Sequence, residues 1–466
     1  MNTTRRNTCT STWETSLENN ISVHHVFESL RKAGEEVVLF EGGFGAEVWS
    51  FVGVVNKKVK VPRGEEAFEF MRKFIKKNKS QNKKSSWEKL DKNASPFKSG
   101  FVGFASYDLG AKWQGIKQKV KKDIDCPDAH FVYVDRVFAF SAAKTLSPSA
   151  CGSPARSTRA IPSPTSNLTY KQYFSKLRTI KKYLFSGDTY QVNFSQRFSA
   201  PFKGDAFELY KKITNINPSP FQFFMETPQF AVISNSPERL FKISQNGEIE
   251  TRPIKGTVPR GKNAAQDRAN IKRLLASDKE RAELSMIVDL ERNDLGKICV
   301  PGSVKVTAHR TVEKYSHVIH TSSTVRGKLE KGKDWLDALR ALFPGGSITG
   351  CPKKRTMEII DELEDFKRGV YCGSAGYIDL SGRCDFNIMI RTLFLEKGSK
   401  PKHRQNCKIS RHFDNFSKFL PGEESNLFFH SGGGIVVDSD PKKEYEETTH
   451  KANALQRAIS ESRRVE

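Results

Sequence analysis

Hydrophobic residues recur along this chain with the two periods that are typical of strands and of amphipathic helices. In the first part, residues 26–33 predict a helix, residues 36–40 and 47–55 predict strands, and residues 64–80 predict a basic amphipathic helix. Residues 130–142 predict a further strand. Beyond residue 168 the predicted helices are 170–185, 264–278, 280–290, 333–342, 352–363 and 441–458. The predicted strands there are 189–198, 229–234, 240–244, 303–308, 373–379, 387–395 and 426–437.

The order of these elements indicates an α+β fold. Strands follow one another through short turns, which favours antiparallel pairing, and the strands and helices show no regular βαβ alternation. Residues 22–142 form an N-terminal region and residues 169–462 a C-terminal region, and we expect their strands to share sheets. Residues 143–168 between them are rich in Ser, Pro, Thr and Ala and predict a linker. Residues 397–424 are polar and basic and predict an enlarged hairpin loop.

The composition is that of a globular protein and argues against several classes. Hydrophobic residues make up 37% of the 466 positions, and no stretch is apolar enough for a membrane helix. Residues 1–20 are polar, so a secretory signal is not expected. The eight cysteines form no Cys-x-x-Cys pair, which favours free thiols and a cytoplasmic location.

The formal net charge of +24 raises the question of nucleic-acid binding. Much of the excess lies in basic runs at residues 72–84, 117–122 and 400–411, which contain few aromatic residues that could stack on bases. We therefore expect a solvated basic surface, with neither nucleic acid nor membrane as a partner. Steering of an anionic substrate or of an acidic partner stays open as an alternative.

Lys255 is the candidate nucleophile. It lies in Arg-Pro-Ile-Lys-Gly-Thr at 252–257, downstream of the polar turn Ser-Pro-Glu-Arg at 236–239, which presents the carboxyl of Glu238. A helical run with Asp-Leu-Glu-Arg-Asn-Asp at 289–294 follows. Together these segments offer an amine, a proton donor and a possible metal ligand.

Carboxylates one helical turn apart are candidates for metal binding. On the predicted C-terminal helix, Glu444, Glu447 and Lys451 share one face. Glu280 and Glu283 form a similar pair on another helix. Such pairs could supply half of a Mg²⁺ site, although an ordinary charged surface gives the same pattern.

Two glycine-rich segments and one arginine are candidates for binding an anion. Residues 431–437 read Ser-Gly-Gly-Gly-Ile-Val-Val, where bare backbone could approach a ligand, although a tight turn or bulge is the simpler interpretation. Residues 343–350 read Phe-Pro-Gly-Gly-Ser-Ile-Thr-Gly and lead into a helix. Arg391 lies on an apolar strand, where it needs either a structural salt bridge or an anion in a cavity. His320 is by default a structural histidine.

These segments, in this order, resemble the chorismate-utilising enzymes. The resemblance spans about residues 170–458, with a weaker part at 100–110, and includes Gly-Asp-Thr-Tyr-Gln-Val-Asn at 187–193. The family contains anthranilate, aminodeoxychorismate, isochorismate and salicylate synthases. Membership would imply an α+β fold in which a large sandwich of antiparallel sheets is flanked by helices.

Two positions distinguish the branches of this family. Isochorismate and salicylate synthases carry a lysine base where this chain has Gln191. Anthranilate synthases carry alanine where this chain has Lys255, and aminodeoxychorismate synthase component I carries lysine. The resemblance therefore implies conversion of chorismate and ammonia to 4-amino-4-deoxychorismate for p-aminobenzoate and folate synthesis. Anthranilate synthase component I, which serves tryptophan synthesis, is the alternative.

The resemblance also implies roles for individual residues. Lys255 would attack chorismate, Glu238 would act as the general acid, and Mg²⁺ would be bound by Glu283 and Glu447 with Glu444 close by. The residues expected to contact chorismate are Gly256, Thr257, His320, Thr349, Tyr377, Arg391, Gly432, Gly433, Gly434 and Lys451.

A separate glutamine amidotransferase subunit is the expected source of ammonia, because this chain has no Gly-x-Cys-x-Gly nucleophile segment. Some relatives bind tryptophan in an N-terminal pocket. Glu41 and Ser50 lie on the corresponding stretch, which lacks the arginine of those relatives. Pro220 and Phe221 fit the opposite wall of such a pocket.

Overall fold

The computed structural model describes residues 22–43, 48–81, 95–141, 164–315, 318–398 and 425–462. The helices in these ranges are α1 (Val23–Lys32), α2 (Glu66–Gln81), α3 (Tyr107–Trp113), α4 (Tyr170–Phe185), α5 (Ala206–Ile216), α6 (Ala264–Ala276), α7 (Asp278–Gly296), α8 (Trp335–Leu342), α9 (Lys353–Leu363) and α10 (Pro441–Ser462). The strands of the N-terminal region are β1 (Val37–Gly42), β2 (Trp49–Val55), β3 (Gly100–Ala105) and β4 (Ala129–Ser141). The later strands are β5 (Thr165–Ser166), β6 (Gln191–Phe202), β7 (Phe221–Glu226), β8 (Phe230–Ser236), β9 (Arg239–Ile243), β10 (Glu248–Arg252), β11 (Ile254–Pro259), β12 (Lys305–Lys314), β13 (Val318–Lys328), β14 (Gly350–Cys351), β15 (Ser374–Asp379), β16 (Cys384–Asn387), β17 (Thr392–Glu396) and β18 (Ser425–Ile435).

The strands form a continuous series of antiparallel pairs. The first half of the series runs from β6 through β18, β17, β8, β7 and β1 to β2. The second half continues through β4, β3, β15, β16, β9 and β10 to β13, which also pairs with β11 and β12. Strands of the N-terminal region pair with later strands at β1–β7 and β3–β15, which confirms the predicted sharing of sheets.

The sheet turns back on itself, so that its inner faces enclose an aromatic core. Phe40 and Phe51 of the first half contact Tyr377 of the second half, with ring centroids 5.5 and 5.6 Å apart. Helices α1, α5 and α10 cover the outer face of the first half, and α2, α3, α7 and α8 cover that of the second. Burial of apolar surface on both sides of each layer is the main stabilising contribution. The expected α+β sandwich flanked by helices is confirmed.

Local capping chemistry fixes where the helices begin. Thr169 and Gln172 form a capping box at the start of α4. The hydroxyl of Ser277 accepts a hydrogen bond from the backbone N–H of Glu280, 3.3 Å away, at the start of α7. Asp440 accepts a bond from the backbone N–H of Lys443, the third residue of α10, in the same way. The acidic faces of α7 and α10 are therefore positioned by their N-caps.

The structure corrects one predicted strand and adds several elements. The predicted strand 387–395 is two strands, β16 and β17, because Arg391 between them adopts a φ of +52°. The strand β13 was not predicted, since its buried side chains include the polar residues 320–324 and hydrophobic periodicity cannot detect it. Helices α3 and α5 and the short aromatic strand β7 were also missed.

Two segments predicted as loops lie largely outside the described residues. The strands β17 and β18, which flank segment 397–424, are antiparallel neighbours, so the segment connects a hairpin as predicted; residues 399–424 themselves are not described. Most of the linker 143–168 is also outside the described residues, although its end contains β5, which pairs with β6. In the described part of the chain, no helix is long and apolar enough to cross a membrane.

Candidate active site

The two ends of the strand series meet at Lys255. Its Nζ lies 3.4 Å from Oε1 of Gln191, which begins β6. A Cβ atom added to Gly434 of the neighbouring β18 would lie 3.3 Å from the same Nζ and 3.2 Å from Cδ of Gln191. A side chain at this position would press on the amine, so the glycine provides the space that Lys255 occupies.

The backbone of β11 fixes the direction of the Lys255 side chain. A bulge interrupts the pairing between Lys255 and Thr257, and Gly256 between them has a φ of +71°. A Cβ at Gly256 would also lie 2.9 Å from Cδ1 of Leu274 on α6. The hydroxyl of Thr321 donates a hydrogen bond of 2.6 Å to the carbonyl oxygen of Lys255. The bulge and this bond hold the lysine in one orientation at the strand end.

The remaining glycines lie in the interior of a strand. Gly432 and Gly433 of β18 are opposite Ser195 and Phe194 of β6. The tight turn or bulge that their sequence suggested is therefore wrong. A Cβ at Gly432 would lie 2.6 Å from the carbonyl oxygen of Phe194 and 2.8 Å from the hydroxyl of Tyr371. The bare strand thus allows polar groups to approach its backbone closely.

Glu238 is a buried carboxyl beside the lysine strand. It lies in the turn between β8 and β9, is 4% exposed, and accepts a hydrogen bond of 3.2 Å from the backbone N–H of Ile254. Burial raises the pKa of Glu238, although the ammonium groups of Lys255 and Lys451 act in the opposite direction. A raised pKa favours the protonated form that a general acid needs.

Two of the three carboxylates predicted for a metal lie at Gly433, and the charge of Glu447 acts on the third, Glu283. A Cβ at Gly433 would lie 3.4 Å from Oε2 of Glu444 and 3.6 Å from Oε1 of Glu447. Burial raises the pKa of Glu283 and of Glu444, and in both cases the charge of Glu447 raises it further. Burial also acts to raise the pKa of Glu447, but Lys451, whose Nζ is 2.6 Å from Oε1, makes the net shift downward.

These carboxylates by themselves do not complete the coordination of an octahedral cation. Within the described ranges, no three or more His, Cys, Asp or Glu side chains converge closely enough to enclose a metal ion by themselves. Mg²⁺, however, is commonly bound by one or two carboxylates and completed by waters and substrate oxygens. Carboxylates that raise one another's pKa also gain from a bound cation. The donor set therefore fits an open Mg²⁺ site.

Arg391 is a cation without an acidic partner in the part of the chain that the structure describes. It lies between β16 and β17, and burial lowers the pKa of its guanidinium group. The structural salt bridge that the sequence left open is thus absent among the described residues. Because desolvation of an unpaired guanidinium is costly, an anionic ligand would stabilise it.

His320 is held close to Arg391 as a neutral side chain. Its Nδ1 lies 2.7 Å from the hydroxyl of Thr257, which is opposite it on β11. Burial, together with the charge of Arg391, lowers the pKa of His320 to about 4. At neutral pH the imidazole is therefore uncharged and has one N–H to donate.

Lys451 and Thr349 play different parts although both were predicted to contact chorismate. The ammonium group of Lys451 donates a hydrogen bond of 3.2 Å to the carbonyl oxygen of Gly432. It therefore lies at residues 432–434 of β18, which we call the glycine strand. The hydroxyl of Thr349 instead donates to the carbonyl oxygen of Gly345 at 2.8 Å. Thr349 therefore shapes the glycine-rich turn before α9.

Tyr371, and not the predicted Tyr377, lies at the glycine strand. Tyr377 lies in the aromatic core, with its ring centroid 4.9 Å from that of Phe97. The hydroxyl of Tyr371 lies at Gly432 instead, and its ring stacks on His430 with centroids 5.2 Å apart. Tyr371 precedes β15 in a turn and belongs to no periodic pattern, so nothing in the sequence distinguished it.

The residues predicted for an N-terminal pocket are also brought together. Glu41 lies opposite Ser50 in the β1–β2 pair, and Phe221 of β7 lies opposite Gly42. A Cβ at Gly42 would lie 2.8 Å from the carbonyl oxygen of Pro220. The two walls of the predicted pocket are therefore neighbouring strands.

The carboxylate in this pocket is fully bound by the protein itself. Glu41 accepts hydrogen bonds from the hydroxyls of Tyr210 at 2.5 Å and Ser50 at 3.2 Å, and Nε2 of His24 lies 3.0 Å away. Burial acts to raise the pKa of Glu41, but these partners outweigh it and lower the pKa. Sequence reasoning found Glu41 and Ser50 but missed His24 and Tyr210.

Comparison with known proteins agrees with the family resemblance that the sequence motifs indicated. Residues 52–410 and 417–457 match the family described as chorismate binding enzyme. Aminodeoxychorismate synthase component 1 of Bacillus subtilis is 37% identical, over 78% of this chain and 77% of the relative. The Escherichia coli protein of the same name is 38% identical, over 77% of each chain. Anthranilate synthase component 1 of Saccharolobus solfataricus is 37% identical, over 78% of this chain and 81% of the relative.

Solved structures show the same architecture. Anthranilate synthase component I from Streptococcus pneumoniae superimposes with a TM-score of 0.65 at 26% identity and covers 90% of each chain. The isochorismate synthase MenF from Escherichia coli superimposes with a TM-score of 0.63 at 16% identity, which bears on the fold alone.

Proposed function

Because this chain belongs to the family of chorismate binding enzymes, we propose that it acts as an aminodeoxychorismate synthase component I. It would convert chorismate and ammonia to 4-amino-4-deoxychorismate for p-aminobenzoate and folate synthesis. The observation that carries the proposal is the Lys255 amine, which extends to Gln191 and Gly434 at the meeting point of the two sheet ends. An amine in this position offers a nucleophile to a substrate held along the glycine strand.

The residues around Lys255 supply groups that suit the two carboxylates of chorismate. Arg391 has no acidic partner in the described ranges and can bind a carboxylate through two N–H groups. Tyr371 and Lys451 lie at the glycine strand. Neutral His320 can donate one further hydrogen bond. These groups would orient the ring so that C2 faces Lys255, which is the main contribution of positioning to the rate.

Two successive displacements then occur on the ring of chorismate. After the ammonium group of Lys255 has lost a proton to solvent, its amine forms a bond to C2, both ring double bonds shift, and the C4–O bond breaks. Glu238 gives its proton to the departing hydroxyl, which leaves as water. Ammonia next forms a bond to C4, both double bonds shift back, and the C2–N bond breaks to release Lys255. The proton lost by the new C4 ammonium group restores Glu238.

Magnesium and ammonia complete this proposal. Glu283, Glu444 and Glu447 would hold Mg²⁺, whose charge would fix and neutralise a carboxylate of the substrate. Ammonia would come from a separate glutamine amidotransferase subunit, in keeping with the name "component 1" of the relatives. We propose a heterodimer of the two chains.

Anthranilate synthase component I is the competing function, because relatives of that name are equally similar in sequence. The residue that favours aminodeoxychorismate is Lys255. An enzyme that lacks the lysine cannot form a covalent adduct at C2, and ammonia must then react at a different carbon. The identity of the product therefore distinguishes the two functions.

The decisive experiment is incubation of the purified chain with chorismate, Mg²⁺ and ammonium at alkaline pH, with identification of products and protein adducts by mass spectrometry. Lys255→Ala is assayed alongside, and Lys262→Ala, which removes an exposed lysine beyond the same strand, is the matched control. We expect aminodeoxychorismate and a lysine adduct from the parent and the control, and neither from Lys255→Ala. Anthranilate from the parent, or no turnover even with a supplied amidotransferase, would overturn the proposal.

A further inference from the structure

Glu291 is a buried carboxyl that the proposed mechanism does not use. It lies on α7, about two turns beyond Glu283, and is 3% exposed. Its Oε2 is 2.6 Å from the hydroxyl of Thr251, and in the described part of the chain no cationic side chain lies within ion-pair distance of it. Burial raises the pKa of Glu291 to about 8. The carboxyl therefore carries a proton at neutral pH.

Glu291 is a neighbour of the acid Glu238. The hydroxyl of Thr251 binds Glu291, and the backbone N–H of Ile254, three residues further on, binds Glu238. Both carboxyls are thus attached to one short segment that leads into Lys255. The glycine-rich turn contacts the same helix, since a Cβ at Gly346 would lie 2.6 Å from Cδ2 of Leu290.

The charges around Glu291 are few. Glu238 and Asp294 raise its pKa by repulsion, and Lys353 lowers it. The ammonium group of Lys353 is itself bound to Oδ2 of Asp294 at 2.6 Å, so these two charges largely cancel. What remains is the repulsion between Glu291 and Glu238, two carboxyls in a region of low dielectric constant.

We infer that Glu291 is a positioning residue that keeps a second proton beside Glu238, and that acid catalysis by Glu238 weakens when this second proton is lost. The inference rests on the proposed function, in which Glu238 gives its proton to the departing hydroxyl at C4. During that step Glu238 changes from neutral to negative. The new charge costs less beside a neutral Glu291 than beside an ionised one. Glu291 would therefore limit the rate on the alkaline side.

The test is the pH dependence of kcat in the parent and in Glu291→Gln, with chorismate, Mg²⁺ and excess ammonium. The amide has the shape of the acid and stays neutral at every pH. We expect the ratio of kcat in Glu291→Gln to kcat in the parent to rise by about tenfold as the pH increases across the titration of Glu291. Asp289→Asn removes a 71% exposed carboxylate from the same helix and should give a ratio independent of pH.

A second variant tests the same inference without changing the acid. Thr251→Val removes the hydroxyl that lowers the pKa of Glu291, so the alkaline decline of the parent should move to higher pH. A ratio for Glu291→Gln that is constant with pH, or a decline in Thr251→Val that does not move, would overturn the inference.

Infrared difference spectroscopy separates failure of this inference from failure of the proposed function. Subtraction of the Glu291→Gln spectrum from that of the parent at neutral pH cancels the contribution of Glu238 and should leave the carbonyl band of one protonated carboxyl, which is the band of Glu291. If the parent fails to convert chorismate but shows the band, the proposed function is wrong and the protonated Glu291 stands. If the parent makes aminodeoxychorismate and the band is absent, the role of Glu291 is wrong.

Discussion

Two charged sites within one sandwich differ in how their charges are satisfied. In the N-terminal pocket, Glu41 is bound by Tyr210, Ser50 and His24, all of them part of the protein. In the candidate active site, Arg391 has no acidic partner among the described residues, and burial acts on it unopposed. All of these partners of Glu41 belong to the isolated chain. We propose that Arg391 gains its counterion only when an anionic ligand binds.

The difference separates a site that stabilises the fold from the site that we propose binds substrate. A buried charge with several hydrogen bonds contributes to folding, whereas one without partners reduces stability and is retained for another reason. The same contrast explains the shifts in pKa. That of Glu41 is lowered by its partners, and that of Arg391 is lowered by desolvation alone.

The largest expected effect is on catalysis at Glu238. Glu238→Gln removes the proton donor while keeping the shape of the side chain, so kcat should fall by about 10²- to 10⁴-fold. Steady-state kinetics with chorismate and ammonium measure the loss. Glu248→Gln, which alters an exposed carboxylate on β10, is the matched control. A loss of less than about threefold would remove Glu238 from the acid role.

Arg391→Met should weaken substrate binding without weakening the fold. Loss of charged hydrogen bonds to a carboxylate should raise the KM for chorismate by about 10- to 100-fold. The free energy of unfolding should stay the same or rise by up to about 2 kcal/mol, because an unpaired buried charge is removed.

Arg368→Met provides the contrast to this variant. Arg368 is buried and bound to Glu364 at 2.7 Å, so its removal should lower the free energy of unfolding by about 3–5 kcal/mol. Urea denaturation of both variants measures the difference. Equal destabilisation by the two would mean that Arg391 is structural after all.

Glu41→Gln should destabilise the fold and leave the KM for chorismate unchanged. The loss of a charged acceptor for three partners should cost about 1–3 kcal/mol at pH 7. Because the folded pKa of Glu41 is lowered, its contribution is complete above the ordinary glutamate value of about 4.3 and is lost as the pH falls through the folded pKa. Unfolding of parent and variant between pH 7 and about pH 3 should therefore converge.

Ser50→Ala should have the smallest effect. It removes one of the hydrogen bonds to Glu41 and should lower the free energy of unfolding by about 0.5–1.5 kcal/mol. Thermal and urea unfolding measure it. An increase in KM for chorismate in this variant would show that the two sites are coupled, which the contrast between them does not predict.

The sequence by itself determined the local elements and the chemical groups available. The amphipathic period of Tyr170–Phe185 gave α4 with both ends correct, since a capping box and a continuous apolar face act over short distances. The order of motifs around Lys255 and Glu238 indicated the family, and an arginine on an apolar strand indicated either a structural salt bridge or a bound anion at Arg391. Each of these properties depends on residues that are close in the chain.

Only the tertiary structure decided which of these groups meet and which charges remain unpaired. The contact of Lys255 with Gln191 arises because a long series of antiparallel strands turns back on itself. Tyr371 reaches the glycine strand from an irregular turn, and His24 and Tyr210 reach Glu41 from separate helices. The physical reason is that burial and electrostatic environment are set by neighbours in space, and no periodicity along the chain records them.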